Sequence, residues 1–98
     1  MRESQIEEYL RERVKAAGGR AYKFVSPGNN GVPDRILSFP GNRLAFVELK
    51  ATGGKPTPLQ KLQAKRLQEN QHVVVLIDSK EGVDDFIREF TGKDVMPK

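Results

Sequence analysis

Two apolar segments joined by a tight turn constrain the fold of this chain most. They cover residues 34–39 and 43–51, and residues 40–42, Pro-Gly-Asn, have the composition of a turn. The pattern predicts an antiparallel hairpin. If the loop is centred on Gly41, Asp34 faces Glu48 across the two strands, whereas a shift of one residue would put them on opposite faces.

Periodicity predicts the elements before and after the hairpin. Apolar residues recur every four positions in 4–17, which indicates a helix that Gly18-Gly19 ends. Residues 20–25 have the pattern of a strand, and 26–33 that of a loop. The continuous apolar run 73–77 predicts a strand that is buried on both faces.

Capping residues predict two further helices. Thr57 is the expected N-cap of a helix that has Pro58 at its first position and runs to about Glu69. Asp78 is the expected N-cap of the last helix, with Glu81 completing a capping box. The tail after Gly92 is expected to fray.

The resulting order, α-β-β-β-α-β-α, predicts an α/β (α+β) fold with a mixed central sheet of about four strands flanked by helices. A length of 98 residues indicates one domain over 1–98. No run of 18 apolar residues occurs, so we expect no membrane segment. The N-terminal residues do not resemble a signal peptide, so a cytoplasmic location is expected.

Composition narrows the chemistry that is available. The chain has no cysteine and one histidine, His72, which excludes disulfides, thiolate sites and zinc sites built from several imidazoles. Any metal must be held by carboxylates and carbonyls, as magnesium and manganese are. The net charge of +4 suits a polyanionic partner such as nucleic acid. No Walker motif is present, so no nucleotide cofactor is expected.

The strand 43–51 breaks its own apolar pattern at Glu48. Alternation puts Glu48 and Lys50 on one face. Directly opposed carboxylates such as Asp34 and Glu48 repel each other unless a divalent cation binds between them. Such an ion would activate water, and Lys50 would position that water or neutralise developing charge. A surface ion pair at a strand end is the alternative.

The residues around this site resemble a known family. Gly31-Val32-Pro33-Asp34, a short hairpin and then Phe46-Val47-Glu48-Leu49-Lys50 look like the PD-(D/E)xK nuclease superfamily, and most closely its VRR-NUC family with stand-alone viral members. Gln60, early in the following helix, matches a further family position. The resemblance covers about residues 3–90.

The resemblance implies roles for these residues. Asp34 and Glu48 would bind the metal with the backbone carbonyl of Leu49, Lys50 would assist catalysis, and Gln60 would orient groups beside the site. A glutamate of the first helix often completes the set in this family. Glu7 is the expected residue, with Glu3, one turn earlier, as the alternative.

The implied activity is hydrolysis of DNA phosphodiester bonds with Mg²⁺, for which Mn²⁺ would substitute. Branched DNA such as a Holliday junction is the expected substrate, and a homodimer would cut two strands symmetrically. Two alternatives remain open. In the first, the protein is a non-catalytic DNA-binding module, such as a targeting subunit. In the second, it is a structural protein whose acids only pair with lysines.

Other residues are interpreted less specifically. A rim that binds phosphates is expected from Arg20, Lys23, Arg35, Lys55, Lys61 and Lys65. Tyr22 and Phe24 are interpreted as core residues because they occur at strand spacing. The pair Asp84-Asp85 is interpreted as surface, and not as a second metal site.

Overall fold

The computed structural model describes residues 1–92 and has the predicted order of elements. The helices are α1 (Glu3–Ala16), α2 (Pro58–Glu69) and α3 (Lys80–Thr91). The strands are β1 (Arg20–Lys23), β2 (Arg35–Phe39), β3 (Arg43–Leu49) and β4 (Val73–Ile77). No helix in this part of the chain is long and apolar enough to cross a membrane. The expected fraying after Gly92 concerns residues 93–98, which lie outside the described residues.

The four strands form one mixed sheet in the order β1-β2-β3-β4. Strands β1 to β3 are antiparallel neighbours, and β4 is parallel to β3 through the crossover that α2 supplies. The hairpin has the register predicted from a turn centred on Gly41, because Arg35 pairs with Val47. One residue further along the same ladder, Asp34 is opposite Glu48.

Helices α1 and α3 cover one face of the sheet and form the core with it. The periodic apolar residues of α1 are fully buried, as are two residues of α3. Each buried aliphatic side chain of this size contributes about 1.5–3 kcal/mol. The cluster comprises Ile6, Leu10 and Val14 of α1, Val83 and Ile87 of α3, and Leu37, Val47, Leu49 and Ile77 of the sheet.

The opposite face of the sheet, called the open face below, carries Arg20, Tyr22, Ile36, Phe46 and Glu48. These residues share a face because Tyr22 pairs with Ile36 and Ile36 pairs with Phe46, while alternate residues of one strand point the same way. Helix α2 packs on this face chiefly against β4, and no residue of α2 is buried. Much of the open face is therefore accessible.

The prediction that β4 is buried on both faces is wrong for a single chain. Strand β4 is an edge strand, and its Val73 and Leu76 are 38% and 41% exposed. On the neighbouring helix, Leu59 and Leu62 are 43% and 41% exposed. Soluble proteins usually protect an apolar edge strand with charges or a covering element. The β4 side of the molecule therefore presents an apolar surface.

Helix α3 begins differently from the prediction. Ser79 is its N-cap, because the Gly82 N–H donates to Ser79 Oγ at 2.9 Å. Asp78 lies one residue too early for that role. Its Oδ2 accepts the Gly53 N–H at 3.1 Å instead, so Asp78 holds the glycine loop that follows β3. The expected capping box of Asp78 with Glu81 is replaced by this serine cap.

Two further sequence interpretations are corrected. Asp84 is not a surface residue, since it is 6% exposed and its Oδ2 accepts a hydrogen bond from the Tyr9 hydroxyl at 2.7 Å. Burial, followed by that hydrogen bond, raises the pKa of Tyr9. Tyr22 is not a core residue, since it is 53% exposed on β1, the other edge strand.

Candidate active site

The carboxylates of Asp34 and Glu48 meet where β2 begins and β3 ends. Asp34 Oδ2 accepts the Leu49 N–H at 2.7 Å, which fixes its carboxylate against the ladder. Glu48 is 6% exposed, and its side chain is hydrogen-bonded to Asp34. Glu48 Oε1 is buried without a hydrogen-bond partner among residues 1–92. A buried oxygen of this kind is unfavourable unless something binds it.

A proton relieves the repulsion between these two acids. Burial, the hydrogen bond to Asp34 and the charge of Asp34 raise the pKa of Glu48 from 4.5 to about 8. The charge of Lys50 opposes this shift, and that of Glu3 adds to it. Glu48 is therefore largely protonated at neutral pH. A cation that binds both carboxylates would have to displace this proton.

Lys50 and the carbonyl of Leu49 extend the site along β3. The Lys50 N–H donates to the Ile77 carbonyl at 3.0 Å, so the ladder with β4 continues through Lys50. Strand alternation then directs the Lys50 side chain to the face of Glu48. Because the peptide bond is trans, the Leu49 carbonyl points opposite to the Lys50 N–H. That direction is away from β4, toward the side on which Asp34 lies.

Of the two candidate acids of helix α1, Glu3 and not Glu7 affects the pair of Asp34 and Glu48. The charge of Glu3 acts on Glu48. Glu7 lies one turn further on, and its Oε1 forms an ion pair with Arg35 at 3.2 Å. Arg35 follows Asp34 on β2, so it points to the opposite face, and its side chain is only 12% exposed. The placement therefore supports neither Glu7 as the helix-one acid nor Arg35 as a phosphate contact.

Gln60 lies beside Glu48 in a cleft of about 320 Å³ between α2 and the end of the sheet. Its Oε1 accepts the Thr57 N–H at 2.8 Å, and its own N–H donates to Thr57 Oγ1 at 3.2 Å. Thr57 is therefore the N-cap of α2, as predicted. Gln60 completes the capping box and also lines the cleft. The other lining residues include Pro33, Pro56, Lys61, Ala64 and Leu76.

Gly31 fixes the distance between α2 and the loop that leads to Asp34. A Cβ at Gly31 would lie 2.9 Å from the backbone carbon and oxygen of Leu59, in the first turn of α2. Its φ of +88° also lies in the left-handed region that favours glycine. Gln63 of the same helix donates to the Asn30 carbonyl at 3.3 Å. This close contact holds the first turn of α2, which carries Gln60, against the loop that leads to Asp34.

The other predicted DNA-binding residues lie on two surfaces. Lys61 lines the cleft, while Lys55 and Lys65 are exposed before and along α2. Arg20 lines a second groove at the β1 edge, and Lys23 is exposed at the end of β1. The sequence predicts these cations as one rim. In the structure, Arg20 and Lys23 lie at the β1 edge of the sheet, whereas the three lysines lie near α2, which packs against β4 at the other edge.

Two cations of the second groove, Arg11 and Lys15 of α1, are not among the residues predicted from sequence. They line this groove together with Arg20. Their spacing of four residues puts them on one side of a helix, which is the signal that identifies such a pair. That signal is weak, because most surface helices carry cations at this spacing.

The donors at the carboxylate pair fit a hard divalent cation. Within the described residues, no group of three or more histidine or acidic side chains lies close enough to hold a metal. Two carboxylates and the Leu49 carbonyl are the oxygen donors that this part of the protein could offer to a cation, and water would have to fill the other positions, as is usual for Mg²⁺. The unpartnered Oε1 of Glu48 is the observation that fits a cation.

A hairpin with opposed acids, a lysine two residues past the glutamate and a glutamine on the next helix defines the class of PD-(D/E)xK nuclease cores. No family model matches the sequence. The chain is 48% identical over 81 residues to p44, a protein of Acyrthosiphon pisum secondary endosymbiont phage 1 that is provisionally named a nuclease, covering 83% of this chain and 87% of p44. A solved VRR_NUC domain matches with a TM-score of 0.84 and 30% identity, covering 90% of this chain and 96% of that domain. The chain belongs to the VRR-NUC family.

Proposed function

We propose that this VRR-NUC protein is a metal-dependent endonuclease that hydrolyses phosphodiester bonds in DNA. The observation that carries the proposal is the pair of adjacent acids, Asp34 and Glu48, which a protein would not place side by side for stability alone. Glu48 keeps a buried oxygen without a partner among residues 1–92. A divalent cation satisfies that oxygen and compensates both negative charges.

The residues around the pair have distinct roles in this proposal. Asp34, Glu48 and the Leu49 carbonyl would hold Mg²⁺, with Mn²⁺ as a substitute. When bound, such an ion activates water and stabilises charge on a phosphate. Lys50, on the same face, orients the attacking water or neutralises charge as the P–O bond breaks. Gln60 orients groups in the cleft.

Helix α1 contributes one acid to this arrangement, and we propose Glu3 for that role in place of Glu7. The charge of Glu3 raises the pKa of Glu48, whereas Glu7 is paired with Arg35. Glu3 would therefore strengthen the preference of the site for a cation. Substitution of Glu3 by glutamine is expected to weaken metal binding, and the same change at Glu7 is expected to affect mainly the ion pair with Arg35.

We propose branched DNA, such as a Holliday junction, as the substrate and a homodimer as the active form. The substrate follows from the resemblance to stand-alone viral members of the family. The apolar β4 side supports the dimer, since Leu62 and Val73 are 41% and 38% exposed there. Lysine at either position should shift the mass measured by sedimentation from dimer to monomer. Val25→Lys is the control, because Val25 is 66% exposed and lies in the loop after β1.

Cleavage of a panel of duplex, flap, splayed and four-way DNA tests the function. The protein should cut at least one of them with Mg²⁺ or Mn²⁺ and none with a chelator. Asp34→Asn should abolish cutting, while Asp85→Asn, at an exposed aspartate of α3, should retain it. Full activity of Asp34→Asn would contradict the site. Metal-independent binding without cleavage of any DNA would favour a non-catalytic DNA-binding module.

A further inference from the structure

We propose that a groove at the β1 edge of the sheet binds an unpaired DNA strand that leads away from the cleavage site. The proposal rests on the nuclease function proposed above and names the form of DNA that the protein holds. The groove has a volume of about 490 Å³ and lies where the end of α1 meets β1. Its lining includes Arg11, Lys15, Gly18, Gly19, Arg20 and Tyr22.

Three exposed cations give this groove its charge. Within the described part of the chain, ion pairs join only Arg35 with Glu7 and Arg88 with Asp85. Arg11, Lys15 and Arg20 are thus not neutralised by an ion pair with another described residue. Two acids of α1, Glu8 and Glu12, line a separate cleft with Lys80, and Glu7 is paired with Arg35. The groove is therefore a concentrated positive site, which suits the phosphates of a nucleic-acid strand.

Tyr22 determines which form of nucleic acid fits the groove. Its side chain is 53% exposed beside these cations, on an edge strand. An exposed aromatic ring next to a positive groove is the arrangement on which proteins stack the bases of single strands. An intact duplex exposes base faces only at its ends. The combination therefore favours an unpaired strand over a continuous duplex.

A short segment of single-stranded DNA can reach from the proposed catalytic pair to the groove. Tyr22 and Arg20 belong to the open face that carries Glu48, two strands away. With strands about 4.8 Å apart and a rise of about 3.4 Å per residue, Glu48 lies roughly 12 Å from Tyr22 and roughly 17 Å from Arg20 between Cα atoms. At about 3.4 Å per nucleotide, about four to five nucleotides cover that distance. Ile36 and Phe46 form the apolar floor between them.

Binding to two matched DNAs tests the proposal without cleavage. The Asp34→Asn protein is used in the presence of a chelator, so that no DNA is cut. Its binding is measured by titration to a fluorescent splayed DNA with an unpaired arm and to a blunt duplex of equal length. Adding Lys15→Glu or Tyr22→Ala should weaken binding of the splayed DNA about tenfold and that of the duplex by less than about twofold. Arg43→Glu is the control, because Arg43 is an exposed cation outside the groove whose substitution changes the charge equally.

Three results would overturn the proposal: no change in binding, an equal loss on both DNAs, or an equal loss with Arg43→Glu. Thermal unfolding of each variant checks the fold, and Lys15→Gln replaces the charge reversal if that variant is unstable. The test is independent of catalysis. The wild-type protein could cut no DNA while the Lys15 and Tyr22 variants still show weaker binding to the splayed DNA only. That result would support the groove and contradict the nuclease function.

Discussion

Asp34 directly precedes β2 and lies beside Glu48, one step beyond the pair Arg35–Val47 in the register of the hairpin. The Leu49 N–H holds Asp34 Oδ2 at 2.7 Å, so the aspartate cannot turn away from its neighbour without losing that bond. Near neutral pH, two carboxylates in this position are both ionised only when a positive charge lies between them. The register of the hairpin therefore makes the site depend on a proton or a cation.

The raised pKa of Glu48 predicts how stability changes with pH. A carboxyl whose pKa is about 8 in the folded protein, against 4.5 when unperturbed, binds its proton more tightly in the folded state. The free energy of unfolding of the metal-free protein should then fall as pH rises through this window and change little above it, as far as this group is concerned. Glu48→Gln removes the effect. Thermal melts of both proteins with chelator from pH 5 to 9 measure the difference, and parallel curves would disprove it.

Lys50 should contribute to catalysis and not to folding. Lys50→Ala is expected to lower the single-turnover cleavage rate at saturating metal by roughly 100-fold or more, the usual effect of losing a group that assists proton transfer. Metal affinity should rise slightly, because the positive charge of Lys50 lowers the pKa of Glu48 and for the same electrostatic reason disfavours a cation at this pair. Lys80→Ala on α3 is the control. A variant with the wild-type rate and metal affinity would show that Lys50 is only a surface residue.

Gly31 should be needed for the position of α2. Gly31→Ala forces a Cβ to 2.9 Å from the backbone of Leu59 and strains a φ of +88°. Gly28→Ala provides a matched control, because its φ is +81° but nothing lies within 4 Å of the added atom. The strain shared by both variants is about 1–2 kcal/mol. Any further loss of stability, together with slower cleavage, measures the contact with α2. Equal melting temperatures and equal rates would contradict it.

The hydrogen bond between Tyr9 and Asp84 should stabilise the packing of α1 on α3. Tyr9→Phe leaves Asp84, which is 6% exposed, without the 2.7 Å bond from the hydroxyl. The expected loss in the free energy of unfolding is about 1–3 kcal/mol, measured by denaturant titration. Tyr22→Phe, at an exposed tyrosine, should change stability by much less. Equal effects of the two substitutions would show that the buried bond contributes little.

The hairpin and the position of Asp34 beside Glu48 could be predicted from sequence because each depends on local rules. The turn at Gly41 determines the register, and the register determines that Asp34 faces Glu48. Thr57 and Pro58 likewise define the start of α2 by themselves. Gln60 was added by the resemblance to the VRR-NUC family, because no local pattern indicates that this residue lies beside Glu48.

The rest depends on contacts between distant segments, which periodicity does not encode. Glu3 and Glu7 are one turn apart and look alike in sequence, but only the packing of α1 shows that Glu7 pairs with Arg35. Asp84 is polar, which predicts a surface position, but in the fold it is the hydrogen-bond partner of Tyr9. The apolar pattern of β4 predicts an interior strand, although its place at the sheet edge depends on the whole topology.

Gln60 serves two purposes with one amide, and this limits how the position can vary. The side chain both caps α2 through Thr57 and lines the cleft beside Glu48. A glutamate fits the cap equally well, because capping boxes accept either residue at this position. It would, however, add a third negative charge next to two acids. The substitution Gln60→Glu is therefore expected to keep the N-terminal cap of α2 while it increases the affinity of the site for a cation.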